Sequence, residues 1–223
     1  MPARRPGPGP RPPVSACCRA LDAQFDRKRV ERKVRAYRED GPEPTTRALI
    51  EALRREGASG SLLDIGGGLG AIPAALLEGG VTSAVLVEAA PAYLEASREL
   101  AEEGGYADRL QGRLGDFVEL APEIGPADIV TLDAAICCYP EMEPLLDLSA
   151  ARARSLYGMV VPRTRWSVRS GLALENLGRR LVGNPFRIYA HPLDRMEAIV
   201  RRHGLDPRSR SRTFAWEVRV YGR

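Results

Sequence analysis

The chain of 223 residues has the composition of an ordinary globular protein, with 44% hydrophobic and 28% charged residues. This length accommodates one large domain or two small ones. The mean hydropathy is -0.25, and no apolar run approaches the roughly 20 residues of a membrane-spanning helix, which excludes a transmembrane protein. No secretory leader is visible in the proline-rich first residues, so we expect a cytoplasmic location.

Cysteine and histidine usage predicts neither a disulfide framework nor a metal site. The four cysteines form two adjacent pairs, Cys17-Cys18 and Cys137-Cys138, unlike the spaced cysteines of disulfide-rich secreted domains. The two histidines stand outside any zinc-binding spacing. We therefore expect reduced thiols and no structural metal.

Charge is distributed unevenly along the chain, although the formal net charge is only +4. Residues 61–150 carry 16 acidic and three basic side chains, whereas residues 151–223 carry 16 basic and five acidic ones. A basic C-terminal third can attract nucleic acid, an anionic membrane or an acidic substrate. Arginines spread over solvated faces explain the same bias, and no nucleic-acid-binding motif accompanies it. We expect no nucleic-acid partner and no stable membrane insertion.

Two helices are predicted before the first clear strand. Residues 1–14 are too rich in proline and too poor in apolar residues to order, which predicts a disordered tail. Apolar residues near helical spacing predict a thin amphipathic helix from Ser15 to Tyr37. A second helix, capped by a threonine, is expected to end at Gly57. Residues 15–57 are therefore interpreted as an N-terminal helical unit.

From residue 58 to residue 223, strand and helix patterns alternate. The expected strands are residues 61–65, 84–87, 110–114, 127–133 and 157–161 with a hairpin between 205 and 221, and the expected helices are 71–77, 91–103, 141–156, 167–181 and 192–203. This alternation predicts an α/β, Rossmann-like fold with a doubly wound, mainly parallel seven-stranded sheet and a C-terminal antiparallel hairpin.

Residues 166–192 are interpreted as an insertion on the substrate side. Val168, Leu172, Leu177 and Leu181 predict an apolar stripe on its helix. We expect this stripe to pack against the sheet or to form a lid over an apolar or anionic substrate.

A glycine-rich loop follows the first predicted strand. In the run Asp64-Ile65-Gly66-Gly67-Gly68-Leu69-Gly70, the glycines allow the backbone to approach a ligand that a Cβ atom would exclude. Glu88 ends the second predicted strand, where its carboxylate can accept hydrogen bonds from both hydroxyls of a ribose. The pair predicts a nucleoside-containing ligand, and both S-adenosylmethionine and a nicotinamide dinucleotide satisfy it.

The glycine run, Glu88 and Gly115-Asp116-Phe117 together resemble the successive cofactor motifs of class I S-adenosylmethionine-dependent methyltransferases. The resemblance covers about residues 45–223. It implies S-adenosylmethionine as the cofactor, with the following contacts: Asp64 near the methionine amino group, Gly66, Gly67 and Gly68 against the cofactor, Glu88 on the ribose, and Asp116 with Phe117 beside the adenine. A carboxylate suits an ammonium group, and an aromatic ring suits a purine face. Asp116 also fits a helix cap and Phe117 fits core packing, and both alternatives stay open.

The segment Leu132 to Pro140 lies where methyltransferases of this fold place residues that face the methyl group. We expect Asp133 at the cofactor site. The segment lacks the Asn-Pro-Pro-aromatic motif associated with methylation of amino groups and amides, which favours a small-molecule substrate methylated at oxygen. It is distantly similar to that of magnesium-protoporphyrin O-methyltransferases. Cys137-Cys138 fits either a soft-ligand site or two core thiols.

Tyr139 and His191 are the candidate general bases. A base is not essential, because the sulfonium of the methyl donor is already a good leaving group. The sequence therefore predicts a methyltransferase acting on a small molecule by direct in-line displacement. A NAD(P)-dependent oxidoreductase and a non-catalytic nucleoside-binding regulatory protein are the alternatives.

Overall fold

One seven-stranded sheet runs through the described part of the chain, Leu21 and residues 24–223 of a computed structural model. Its strands are β1 (Gly60–Ile65), β2 (Val81–Glu88), β3 (Leu110–Leu114), β4 (Ala127–Asp133), β5 (Ala153–Pro162), β6 (Asp206–Arg212) and β7 (Trp216–Gly222). The strand order is β3-β2-β1-β4-β5-β7-β6. β7 runs in the direction opposite to the other six strands, so it pairs antiparallel with β5 and with β6. The predicted fold class, including the C-terminal hairpin, is confirmed.

Eight α-helices in the described part of the chain flank this sheet. They are α1 (Arg27–Asp40), α2 (Pro44–Arg55), α3 (Ala71–Leu77), α4 (Pro91–Glu103), α5 (Phe117–Leu120), α6 (Met142–Ala150), α7 (Trp166–Leu181) and α8 (Leu193–Arg202). Proline in the first turn of α2 and of α4 suits a position whose backbone N–H has no helical partner. None of the helices among these residues is both long and apolar enough to cross a membrane.

Two expected helices differ from the structure. The N-terminal helix is expected as one run from Ser15 to Tyr37. Leu21 and Gln24 are helical, but the helix is interrupted at Phe25 and Asp26, and α1 begins at Arg27, where Asp26 accepts a hydrogen bond from Arg29 N at 2.8 Å as its cap. The expected tail and Cys17-Cys18 lie outside the described residues.

The expected helix over residues 141–156 is wrong beyond Ala150. β5 already begins at Ala153, which pairs with Ala127 of β4. The turn between helix and strand is held by Arg152, whose guanidinium donates to the carbonyl of Leu148 at 2.7 Å. Strand pairing and this turn therefore override the helix propensity of the local sequence.

The sheet separates two hydrophobic clusters, because alternate residues of each strand point to opposite faces. On one face, Leu63 and Tyr157 pack with Leu146 of α6 and Val200 of α8. On the other face, Leu62 and its neighbours pack with α2 and α3.

The packing of α2 also positions one side of the later functional site. Leu49 has no exposed surface, and a Cβ atom at Gly158 of β5 would lie 2.8 Å from Leu49 Cδ1. Glycine at this position therefore allows the helix to approach the sheet closely. The chain entering α2 is thereby held above the carboxyl end of β4.

Replacing Leu49 should destabilise the fold. Leu49→Ala removes a fully buried side chain and leaves a cavity between α2 and the sheet, which costs about 2–5 kcal/mol of unfolding free energy. Denaturant unfolding measures the change. Glu51→Ala, on the exposed side of the same helix, is the matched control, with an expected change within about 0.5 kcal/mol. Equal, small changes in both variants would contradict this packing.

Candidate functional site

A cavity of about 840 Å³ opens at the carboxyl ends of β1, β2, β3 and β4. The loops after these strands form one side, and α1 with the α1–α2 connection forms the other. Eight sequence-predicted residues line it: Gly66, Gly67, Gly68, Glu88, Asp116, Phe117, Asp133 and Tyr139. Asp64 and His191 are not part of the wall, and neither is any residue of the 166–192 insertion.

Glu88 connects the glycine loop to the segment that enters α4. Its Oε2 accepts a hydrogen bond from Gly68 N at 2.9 Å, and its Oε1 accepts one from Ala90 N at 2.8 Å. The side chain is 7% exposed, and burial raises the pKa of Glu88 while the backbone donors act in the opposite direction. Each carboxylate oxygen keeps a further lone pair. Glu88 can therefore hold the loop and accept hydrogen bonds from a ligand together.

At two positions of the glycine loop, Gly66 and Gly67, a side chain would collide with neighbouring residues. Gly66 has a φ of 68°, and a Cβ on it would lie 2.7 Å from the Cβ of Ala135. A Cβ on Gly67 would lie 2.2 Å from Asp64 Oδ2. The loop is thus closely packed on the side away from the cavity.

Asp64 lies beneath this loop, with no exposed surface. Its Oδ1 accepts a hydrogen bond from Thr131 Oγ1 at 2.7 Å, whereas its buried Oδ2 has no hydrogen-bond partner among the described residues. Burial raises the pKa of Asp64 to about 7, with smaller contributions from Asp133 and Glu88. The loop covers this carboxylate, which is not part of the cavity wall. A place for Asp64 near the methionine amino group stays a prediction.

Asp133 ends β4 and faces the start of α2. Its Oδ2 accepts a hydrogen bond from Thr46 Oγ1 at 2.5 Å. Burial raises the pKa of Asp133, and the nearby Glu43 carboxylate acts in the same direction. Ala134 follows with a φ of 52°, a left-handed conformation that is uncommon for a residue other than glycine. The backbone is strained where the chain turns from β4 along the cavity.

Asp116 and Phe117 have structural roles as well as places on the wall. Asp116 Oδ1 accepts a hydrogen bond from Val118 N at 2.9 Å and so caps α5. Phe117 is buried, and the Arg152 guanidinium lies 5.5 Å from its ring centre. Asp116 is therefore a helix cap and Phe117 packs in the core, and both residues also line the cavity.

The two candidate bases are held in hydrogen bonds. The Tyr139 hydroxyl donates to Asp116 Oδ2 at 3.0 Å. His191 Nε2 lies 2.9 Å from the Tyr139 carbonyl oxygen, which can only accept, so Nε2 carries the proton. Burial lowers the pKa of His191. His191 thus supports the backbone of Tyr139 from outside the cavity.

Cys137 and Cys138 lie side by side, with their sulfur atoms 3.9 Å apart. The sulfur atoms lie 3.0 Å and 3.4 Å from the carbonyl oxygen of Ala134. The hydrogen bond with Cys138, together with burial, raises the pKa of Cys137 well above its usual range. A thiolate is disfavoured there, which suits core packing better than a reactive thiol.

Sequence reasoning missed the aromatic part of the wall. Phe25, Tyr37, Tyr93 and Trp216 line the cavity. The rings of Phe25 and Tyr93 are 5.2 Å apart between centroids. In the order given, these residues come from the segment before α1, from α1, from α4 and from β7. Because they are far apart in the sequence, no local spacing could have identified them.

Carboxylates outnumber basic groups on the cavity wall. The acidic members are Asp40, Glu43, Glu88, Asp116 and Asp133, and the basic members are Lys33 and Arg47. Lys33 is paired with Glu43. Such a wall favours a positively charged ligand over a polyanion.

Solved structures with this fold include several methyltransferases. An O-methyltransferase family protein from Burkholderia thailandensis shares 15% identity at a TM-score of 0.71, over 92% of this chain and 61% of that one. Magnesium protoporphyrin IX methyltransferase from Synechocystis, with bound SAH, shares 16% identity at a TM-score of 0.71, over 91% of this chain and 98% of that one. An O-methyltransferase family 2 protein from Planctomyces limnophilus, in complex with apigenin, shares 18% identity at a TM-score of 0.59, over 80% and 61%.

These likenesses confirm the fold that the sequence resemblance implies. This chain spans about three fifths of the Burkholderia and Planctomyces proteins and nearly all of the Synechocystis protein. No family model matches the chain, and no curated protein matches its sequence.

Asp64→Asn should change how stability depends on pH. An unfolded aspartate titrates near pH 4, whereas Asp64 in the fold titrates at about 7, so the folded state binds this proton more tightly. The stability that Asp64 contributes is fully present below about pH 4 and is lost as pH rises through about 7. Asparagine keeps an acceptor for Thr131 and does not titrate.

Denaturant unfolding at about pH 5 and about pH 8 measures this effect. We expect the free energy of unfolding of the wild type, relative to Asp64→Asn, to fall between the two values. The same pH dependence in both proteins would show that the pKa of Asp64 is not raised in the folded state.

Proposed function

We propose that this protein is an S-adenosylmethionine-dependent methyltransferase that methylates a small molecule at oxygen. The observation that carries the proposal is Glu88, a nearly buried carboxylate that faces the cavity while it ties the glycine loop to the start of α4. The fold shared with methyltransferases supports the same interpretation.

The residues of the cavity fit S-adenosylmethionine. The loop of Gly66 to Gly68 carries no side chains and lines the cavity, so a ligand can approach its backbone closely. We assign the ribose hydroxyls to Glu88 and the adenine to the edge formed by Asp116 and Phe117. The carboxylate-rich wall, including Asp133, complements the sulfonium and ammonium charges. Residues 58–223 supply most of these groups, and the N-terminal helices close the cavity.

When bound, S-adenosylmethionine supplies an electrophilic methyl group on a positively charged sulfur. The chain then has to position an acceptor oxygen in line with that group at about 3 Å, and proximity of this kind lowers a barrier by several kcal/mol. Thr46 fixes the carboxylate of Asp133 at the edge of the cavity. The aromatic side chains of Phe25, Tyr37 and Trp216 supply apolar surface to the wall of the same cavity.

The acceptor is proposed to be a carboxylate or a phenol. Tyr139 and His191 are engaged with Asp116 and with backbone, so neither is placed to take a proton from a substrate. A group that ionises readily by itself needs no such base. Arg47, on the α2 side of the cavity, can attract its negative charge. The likeness to two O-methyltransferase family proteins, one in complex with apigenin, supports oxygen as the acceptor atom.

Two observations disfavour a nicotinamide-dependent oxidoreductase. Dinucleotide-binding folds of this kind have the strand order 3-2-1-4-5-6, whereas here the antiparallel β7 lies between β5 and β6. The carboxylate-rich wall would also repel a pyrophosphate. A non-catalytic protein would bind S-adenosylmethionine without transferring its methyl group, and incubation of labelled donor with carboxylate and phenol acceptors distinguishes the two.

Glu88→Gln should weaken ligand binding at least tenfold. The amide puts an NH₂ group against Gly68 N–H or Ala90 N–H, and it also removes the charge that accepts the ribose hydroxyls. Hydrogen bonds to a charged group contribute about 1.5–3 kcal/mol, which agrees with a loss of this size. Calorimetric titration with S-adenosylmethionine, S-adenosylhomocysteine and reduced nicotinamide dinucleotide measures it.

Glu99→Gln, an exposed position of α4, is the matched control and should bind as the wild type does. Parallel unfolding measurements separate loss of binding from loss of fold. Binding of the dinucleotide alone, or unchanged affinity in Glu88→Gln, would contradict the proposal.

Asp133→Asn should weaken S-adenosylmethionine more than S-adenosylhomocysteine, because only the former carries the sulfonium charge. Asparagine can still accept the hydrogen bond from Thr46, so the change removes charge with little change of shape. The ratio of the two dissociation constants is the measurement, and the two ligands control for each other. An equal loss for both would show that Asp133 does not act through the sulfonium.

A further inference from the structure

Most of the large apolar side chains of helix α7 face solvent and do not pack against the rest of the protein. The predicted stripe is not a single face, because Val168 is buried while Leu177 and Leu181 are exposed. The five-residue step from Leu172 to Leu177 breaks the three-to-four-residue spacing of one helix face. Val168 is the only buried residue of the helix.

The inner side of α7 is instead held by polar groups. Asn176 Nδ2 donates to the Ile188 carbonyl at 2.7 Å, and Ile188 N donates back to Asn176 Oδ1 at 3.0 Å. The Arg179 guanidinium lies 5.2 Å from the ring centre of Phe186. These contacts fix the orientation of the helix, so its opposite, apolar face points to solvent.

The exposed apolar side chains of the described residues are concentrated in this region. Seven large ones are exposed, and six of them form what we call the α7 patch: Trp166, Leu174, Leu177, Leu181, Val182 and Phe214, each between 51% and 80% exposed. Trp166, Leu174, Leu177 and Leu181 follow one another at helical spacing on one face. A concentration of this kind marks an interaction surface.

Phe214 joins the patch through the residues before α7. Arg163 donates its backbone N–H to the Ala215 carbonyl at 2.8 Å and its guanidinium to the Thr213 carbonyl at 3.0 Å, one residue to either side of Phe214. Thr213 and Trp216 of the same turn line the cavity. The patch therefore borders the cavity.

The residues around the α7 patch are predominantly basic, which favours an anionic partner. Residues 163–182 contain five arginines and one acidic residue, Glu175, which is paired with Arg179 at 2.5 Å. Among the described residues, no carboxylate forms an ion pair with Arg165, Arg169 or Arg180. A helix with exposed tryptophan and leucine beside unpaired arginines has the pattern of one that lies in the interface of an anionic bilayer.

We propose that the α7 patch docks this protein on the surface of an anionic lipid bilayer, with the apolar side chains in the interface and the arginines on the lipid phosphates and carboxylates. Docking here places the cavity beside the bilayer, which gives an apolar acceptor a route from lipid. The binding itself is independent of methyl transfer, so its test stands apart from the proposed function.

Vesicle sedimentation tests the proposal with the full chain. We expect the protein to bind phosphatidylcholine vesicles that contain about one third phosphatidylserine, and to bind pure phosphatidylcholine at least tenfold more weakly. Leu177→Ser with Leu181→Ser, and separately Arg169→Gln with Arg180→Gln, should each weaken binding to the anionic vesicles about tenfold or more. All four side chains are largely exposed or lie on the outer face, so unfolding curves should not change.

Matched controls are Leu114→Ser, the exposed leucine outside the patch, and Arg35→Gln with Arg55→Gln on α1 and α2. Both should bind vesicles as the wild type does. Absence of vesicle binding, or equal loss in the controls, would overturn the proposal. A dimer in sedimentation that Leu177→Ser with Leu181→Ser abolishes, without vesicle binding, would also overturn it and assign the patch to a second copy of the chain.

Discussion

The hydrogen bonds that Glu88 accepts from Gly68 and Ala90 determine the shape of the candidate site. They hold the loop after β1 against the end of β2, two strands that pair in parallel and so end at the same edge of the sheet. Burial of the carboxylate makes this arrangement costly unless its oxygens are satisfied, which the two backbone donors achieve. The position of the glycine loop at the edge of the cavity follows from that arrangement.

Negative charge is the second constraint on the site. Asp64 lies buried under the loop, Glu88 lies buried on the wall, and Asp133 lies half-buried beside them, so three carboxyl groups stand close to one cavity. Burial raises the pKa of each of them, and Asp64 Oδ2 has no hydrogen-bond partner among the described residues. A cationic ligand would compensate their negative charge, which connects the electrostatics of the fold to the methyl donor that we propose.

The sequence predicted most of the fold and the side of the cavity built from strand ends. Parallel strands bring their carboxyl ends together, so the residues after β1, β2, β3 and β4 could be assigned to one site from order alone. Local patterns could not show that Asp64 lies under the loop and off the cavity wall. They also missed Phe25 and Trp216, which reach the cavity from opposite ends of the chain. The direction of the apolar face of α7 likewise depends on contacts such as Asn176 with Ile188, which periodicity does not report.

A crystal structure of the protein soaked with S-adenosylhomocysteine tests the central claim most directly. The account predicts the ligand along the loop of Gly66 to Gly68, with both ribose hydroxyls within hydrogen-bond distance of the Glu88 carboxylate and the adenine beside Phe117. A ligand bound elsewhere, or an occupied cavity in which Glu88 makes no contact with the ribose, would contradict it.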